Sequence, residues 1–98
     1  MHILQATVFE LKKLVPLFDE YRIFYGKSSD ITGATKFLQE RFDNMDSIIF
    51  MASISENDSE KYVGFLQLYP SLSSVCMQRI LILNDLYVAP SSRNLGVG

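Results

Sequence analysis

The chain is short of the residues on which several common chemistries depend. It has one cysteine, Cys76, and one histidine, His2. A lone cysteine excludes an internal disulfide and fits a reducing compartment. A Cys–His nucleophilic pair would have to recruit its imidazole from the chain terminus, so Cys76, set in the apolar run Val75-Cys76-Met77, reads as a half-buried strand thiol. No run of Lys or Arg forms a basic stripe and the formal net charge is −2, which argues against nucleic acid or an anionic membrane as the primary partner. No apolar stretch reaches the roughly 18–20 residues that span a bilayer. The start, Met1-His2-Ile3-Leu4-Gln5, has neither the basic opening nor the small-residue cleavage site of a signal peptide. The expectation is a soluble, cytoplasmic protein with no membrane, nucleic-acid or metal site.

What is present is apolar and aromatic. Of 98 residues 48% are hydrophobic, with seven Phe and five Tyr, enough for a packed core and for one domain, or part of one, over residues 1–98. His2 to Ala6 is a short strand candidate. Thr7-Val8-Phe9-Glu10 has the capping-box pattern, in which the Thr7 hydroxyl accepts from the Glu10 amide and the Glu10 carboxylate reaches back. Leu11, Leu14, Val15, Phe18, Tyr21 and Tyr25 then recur at helical spacing up to Gly26, a natural helix stop. Pro16 interrupts this pattern and predicts a kink or tightened segment near Lys12–Lys13. A second helix starts at Asp30 as N-cap, with Ala34, Phe37, Leu38, Phe42 and Met45 inward.

From residue 47 the period changes. Ser47 to Ile54 and Tyr62 to Tyr69 read as strands around the polar hairpin loop Glu56–Glu60, with Gly64 a packing concession or a close approach. Pro70–Ser74 is expected to turn the chain. Val75 to Val88 is then a strand long enough for an internal bulge. The resulting order is β-α-α-β-β-β, an α/β (α+β) fold in which hairpin connections make the sheet antiparallel and two helices cover part of it.

The segment with chemical character follows Val88. Pro90 ends the strand, and Arg93-Asn94-Leu95-Gly96-Val97-Gly98 places two glycines where successive amides can point into one concavity. At a helix start such a nest holds an anion, and Arg93 adds a guanidinium at its mouth. Alone the spacing also fits a structural turn. A dinucleotide turn needs a third glycine in a βαβ unit and a P-loop needs Lys-Ser/Thr, and neither context is met.

Leu83-Asn84-Asp85-Leu86-Tyr87-Val88-Ala89-Pro90 followed by Arg93-x-x-Gly96-x-Gly98 resembles the acetyl-CoA motif of the GNAT N-acetyltransferase superfamily. That family's pattern is a strand ending in L-Y/F-V, a Pro-containing loop and Arg/Gln-x-x-Gly-x-Gly/Ala, and the element order matches its N-terminal half, within a mixed, mainly antiparallel sheet. The resemblance implies that main-chain groups of Leu86, Tyr87 and Val88 hold the pantetheine arm as an added strand. It implies too that the amides of Arg93, Asn94, Leu95, Gly96, Val97 and Gly98 cradle the pyrophosphate. The implied reaction is direct attack of an amine of a small molecule or amino-acid-like acceptor on the thioester of acetyl-CoA. Where relatives carry Glu-Asp before the L-Y/F-V step, this chain has Asn84-Asp85. An amide cannot take up the amine's proton at neutral pH, so Asp85 is the candidate base, or a structural carboxylate, and Asn84 orients a water or the acceptor. Asp85 faces the wrong side of a regular strand unless a bulge re-aims it.

The resemblance also implies acceptor recognition by the α1–α2 region and neighbouring strands, which here points to Tyr21, Arg22, Tyr25 and Lys27. Tyr21 and Tyr25 line a pocket or are simply core; Arg22 meets a substrate carboxylate, or Asp19 or a loop. The resemblance takes in the whole chain but about two thirds of an ordinary domain of that family; the following helix, a splayed strand and a later Tyr that protonates the thiolate are expected beyond it. An unpaired sheet edge then predicts homodimerisation or other self-association. A non-catalytic acyl-CoA-binding or interaction module on the same fold is the alternative, supported by Asn84.

Overall fold

Local signals set the first helix. The structure, a computed structural model, describes residues 1–93. The strand β1, His2–Gln5, leads into a 3₁₀ turn at Val8–Glu10 closed by the expected capping box: the Thr7 hydroxyl accepts from the Phe9 amide at 3.3 Å, and the Glu10 carboxylate accepts from the Thr7 amide at 2.7 Å. Helix α1 follows from Leu11 to Phe24 without interruption. The kink expected near Lys12–Lys13 is absent: the tightened turn lies before the helix, at Val8–Glu10, and Pro16 sits on the exposed face. The carbonyl left without an amide partner there belongs to Lys12, also exposed, where water can serve it. Gly26, at φ 86°, ends the helix; its amide donates to the Ile23 carbonyl at 2.9 Å and the Lys27 amide to the Arg22 carbonyl at 3.0 Å, the paired bonds of a Schellman motif.

Helix α2 runs from Ile31 to Asn44, with the Asp30 carboxylate accepting from the Gly33 amide at 2.9 Å. Its buried face is Ala34 and Leu38, joined in part by Phe42. Met45 does not belong to that face. It is left-handed at φ 50°, 86% exposed, and terminates the helix. The α1–α2 connection is held by Asp19, which is buried. Its two oxygens accept from the Ser29 hydroxyl at 2.7 Å and the Asp30 amide at 2.8 Å. Those two bonds, with Arg22 adding to them, hold the Asp19 carboxyl below its ordinary value against the opposing effect of burial.

The sheet has the order β1-β2-β3-β4, antiparallel at each pairing, with β2 at Ile48–Glu56, β3 at Ser59–Ser73 and β4 at Gln78–Val88. Asn57 and Asp58, at φ 51° and 63°, form the two-residue turn between β2 and β3, the geometry whose twist matches a hairpin. The turn expected at Pro70–Ser74 lies instead at Ser74–Met77, and Pro70 is a strand residue opposite Leu81. β2 ends opposite Leu68, so beyond that point β3 has a neighbour on one side only, a setting that tolerates a residue without an amide proton. Cys76 is correspondingly exposed in the turn, and not a half-buried strand thiol.

Residues in register share a face. Met51, Phe65 and Tyr87 are paired across β2, β3 and β4 and face the helices, where they pack with Leu14, Phe18 and Leu38. Ile3, Phe50, Leu66 and Leu86 lie on the other face, which no described element covers; Ile3 and Leu86 are more than half exposed.

Two outcomes follow for stability. Asp58→Val, which forces a β-branched residue into a left-handed conformation, should destabilise by about 1–2 kcal/mol in urea titrations while Asp58→Gly does not. Asp19→Ala should lower the thermal midpoint at pH 7. Because the folded-state pKa of Asp19 is lowered, its contribution is complete above the ordinary carboxylate value and is lost as pH falls through the folded one. The gap between variant and wild type should therefore be full above about pH 5 and narrow as pH falls below the ordinary carboxylate value of about 4, read by thermal melts across that range.

Candidate functional site

The register of β3 against β4 shifts once. Gln67 pairs with Asp85 and Leu68 with Leu83, so Asn84 has no partner and forms a bulge. The consequence is directional. Alternation restarts after Asn84, which sets Asp85 and Tyr87 on the face covered by α1 and leaves Leu86 on the open face.

Asp85 is buried beneath α1 and gathers donors from three elements. Its Oδ1 accepts from the Tyr21 hydroxyl of α1 at 2.8 Å. Its Oδ2 accepts from Gln67 Nε2 of β3 at 2.9 Å and from Asn84 Nδ2, its neighbour in the bulge, at 3.2 Å. Both carboxylate oxygens are thus engaged, and Asn84 serves as a donor to Asp85. The Tyr21 phenol is pushed far above its ordinary range, first by burial and then by its bond to Asp85, and the Tyr25 and Tyr69 hydroxyls are close enough to add to the shift. Tyr69 is raised too, chiefly by burial and by the Asp85 charge.

Around this hub the rings form a wall. Tyr21 meets Tyr25 edge-on at 5.2 Å, Phe65 at 5.5 Å and Tyr87 at 6.0 Å. Phe24 and Tyr25 complete it and are 61% and 68% exposed. Of the acceptor-side candidates, Tyr21 and Tyr25 therefore come together beside Asp85. Arg22 does not: it points to the groove between the helices, lined by Phe18, Asp30 and Ala34, and acts on Asp19. Lys27 is exposed in the connecting loop.

On the cofactor side, β4 is an outer strand of the described sheet, with one edge at Leu86–Val88 unpaired by any described strand. Pro90–Ser92 forms a short 3₁₀ turn after it. Arg93 folds back: its Nε donates to the Val88 carbonyl at 2.9 Å, and its guanidinium lies 5.2 Å from the Phe24 ring and 5.6 Å from that of Tyr87. The expected pyrophosphate residues Asn94, Leu95, Gly96, Val97 and Gly98 lie outside the described residues.

Sequence reasoning missed Gln67, Tyr69 and Phe24. Gln67 is wholly buried and its Oε1 has no partner among the described residues. Its signal was available: Phe65, Gln67 and Tyr69 alternate along one strand, and an amide on the inward side of an apolar run needs a polar partner.

No family model matches the chain. It is 45% identical, over its full length and 63% of the other's, to the uncharacterized N-acetyltransferase YhfO of Bacillus subtilis (strain 168). It is 36% identical, over 90% of its length and 58% of the other's, to a probable acetyltransferase of Haemophilus influenzae (strain ATCC 51907 / DSM 11121 / KW20 / Rd). The crystal structure of a probable acetyltransferase matches with a TM-score of 0.86 at 46% identity, covering 95% of this chain and 60% of that one. The chain thus spans about three-fifths of the length of these relatives. Its likeness to acetyltransferases runs along its length, and the order β-α-α-β-β-β ending in a bulged outer strand agrees with the GNAT resemblance read from the sequence.

Proposed function

We propose that the chain forms part of an enzyme that transfers the acetyl group of acetyl-CoA to a primary amine of a small-molecule or amino-acid-like acceptor. The observation that carries this reading is the open edge of β4 at Leu86–Val88, beside a buried Asp85 that the Asn84 bulge turns inward. An outer strand offers main-chain donors and acceptors that an extended ligand can pair with as a further strand. The pantetheine arm is such a ligand. The Val88 carbonyl is held by Arg93, so full pairing there requires Arg93 to release it. The amides from Arg93 to Gly98 are assigned to the pyrophosphate, on the strength of the glycine spacing in the sequence.

In the proposed reaction the amine nitrogen attacks the thioester carbonyl, the C–N bond forms, the C–S bond breaks, and the thiolate leaves to be protonated. The amine must shed a proton, and an unperturbed alkylammonium has a pKa near about 10. Asp85 is the carboxylate placed to influence that proton, and Asn84 orients it by hydrogen bonding. Tyr21 and Tyr25 are the acceptor-side residues beside Asp85, while Arg22 and Lys27 lie away from it. No helix among the described residues is long and apolar enough to cross a membrane, and the single thiol suits a reducing compartment, which supports a cytoplasmic reaction. Asn84, standing where a Glu is usual, keeps the non-catalytic acyl-CoA module as the rival.

The discriminating assay follows thiol release from acetyl-CoA with and without a panel of primary amines. Amine-dependent release supports the transferase, and tight acetyl-CoA binding with no release supports the module. Gly96→Val should raise the KM for acetyl-CoA by about tenfold or more, equivalent to about 1.4 kcal/mol, and leave the KM for the amine unchanged.

A further inference from the structure

Asp85 has a geometry that fixes the direction of a hydrogen bond beyond itself. An ionised carboxylate only accepts. With Tyr21 Oη 2.8 Å from Oδ1, the phenolic proton lies between the two oxygens, and Tyr21 is the donor. A hydroxyl has one proton and two lone pairs. Once the proton is committed to Asp85, the Tyr21 oxygen presents acceptor lone pairs to whatever lies on its other side. Gln67 Nε2 holds the other carboxylate oxygen and so keeps Asp85 oriented toward Tyr21. The remaining lining of Tyr21 is aromatic, from Tyr25, Phe65 and Tyr87, with the exposed rings of Phe24 and Tyr25 at the rim. A fixed acceptor beside ring faces suits an N–H donor of positive charge.

We infer that Tyr21 is the acceptor-binding residue that takes a hydrogen bond from the N–H of the incoming amine, and that Asp85 is its positioning residue. Asp85 acts by holding the Tyr21 proton away from the substrate. The ligand class is a primary amine that arrives as its ammonium ion beside the exposed ring of Tyr25, since the Phe24 ring already carries the Arg93 guanidinium. A neutral hydroxyl compound of the same shape gains less, because its attraction to the rings lacks the cation. Arg22, on the far side of α1, takes no part, which narrows the acceptor-side set to Tyr21 and Tyr25. The inference rests on the transferase reading above.

The test is steady-state acetylation by the protein of phenethylamine, tyramine, ethanolamine and spermidine with acetyl-CoA. Tyr21→Phe should raise the KM of the best amine about tenfold or more, as expected for loss of a hydrogen bond to a charged group. It should leave the KM for acetyl-CoA near wild type, which a merely structural hydroxyl would not, even as the thermal midpoint falls with the loss of a donor to buried Asp85. Because Tyr21→Phe leaves buried Asp85 short of a donor, the pair Tyr21→Phe/Asp85→Asn provides a variant without that charge, and it should show the same selective rise. Arg22→Ala should leave the amine KM unmoved. An amine KM unchanged in the pair, or both KM values rising together, overturns the Tyr21 assignment while the transferase reading stands. A wild-type protein that binds acetyl-CoA and acetylates none of the amines overturns the transferase reading and this inference with it.

Discussion

The carboxylate of Asp85 is the point through which helix and sheet are fastened at the working end of the chain. It is buried, and the donors that make burial tolerable come from α1, from β3 and from the bulge in β4. Removing water from a charge is costly unless its oxygens are met by well-placed donors. Each partner is therefore constrained by the others. Tyr21 must lie over the outer strand, Gln67 must turn its amide nitrogen toward it, and Asn84 must bulge. Helix α1 is held in one rotation about its axis, with Leu14 and Phe18 in the core and Tyr21 over the strand end.

That arrangement also divides the two proposed roles between the faces and the edge of one strand. The side chains of Asp85 and Tyr87 look toward the aromatic wall, while the main chain of Leu86–Val88 looks outward along an open edge. In the proposed reaction a thioester along the edge and an amine at the wall would approach each other from different directions, as direct attack requires. The bulge is what lets both happen at one place, since an unbulged β4 would send Asp85 to the open face beside Phe50 and Leu66.

Much of this was legible in local sequence. Thr7 with Glu10, Asp30 ahead of α2 and Gly26 after α1 are short-range signals, and each acts within a few residues of itself. The order of elements and a bulge in the last strand followed from period and length. Pro70 misled because whether a strand tolerates proline depends on how far its neighbour extends, and β2 stops at Ile48, opposite Leu68. Met45 misled because helical spacing continues past the residue where the backbone turns left-handed. The Asp85 network was hidden for a different reason: Tyr21 lies 64 residues and Gln67 18 residues away along the chain, and no periodicity links them. The assignment of Asn94 to Gly98 to a pyrophosphate is a proposal drawn from the glycine spacing of the sequence.

Beyond Leu68 the β3–β4 ribbon leaves β2 behind, and from there Leu72, Leu81, Leu83 and Met77 are each more than half exposed. A two-stranded ribbon is only marginally stable by itself, so its amide protons should exchange with solvent from the tip inward, ahead of the rest of the sheet. The fraying would meet Asn84 before it meets the site. A slip of the ribbon by one residue would have to pass a bulge anchored by Asp85 to a helix and to the neighbouring strand. The extra residue thus acts as a stop, and motion of the arm is kept out of the register in which Asp85 and Tyr21 meet.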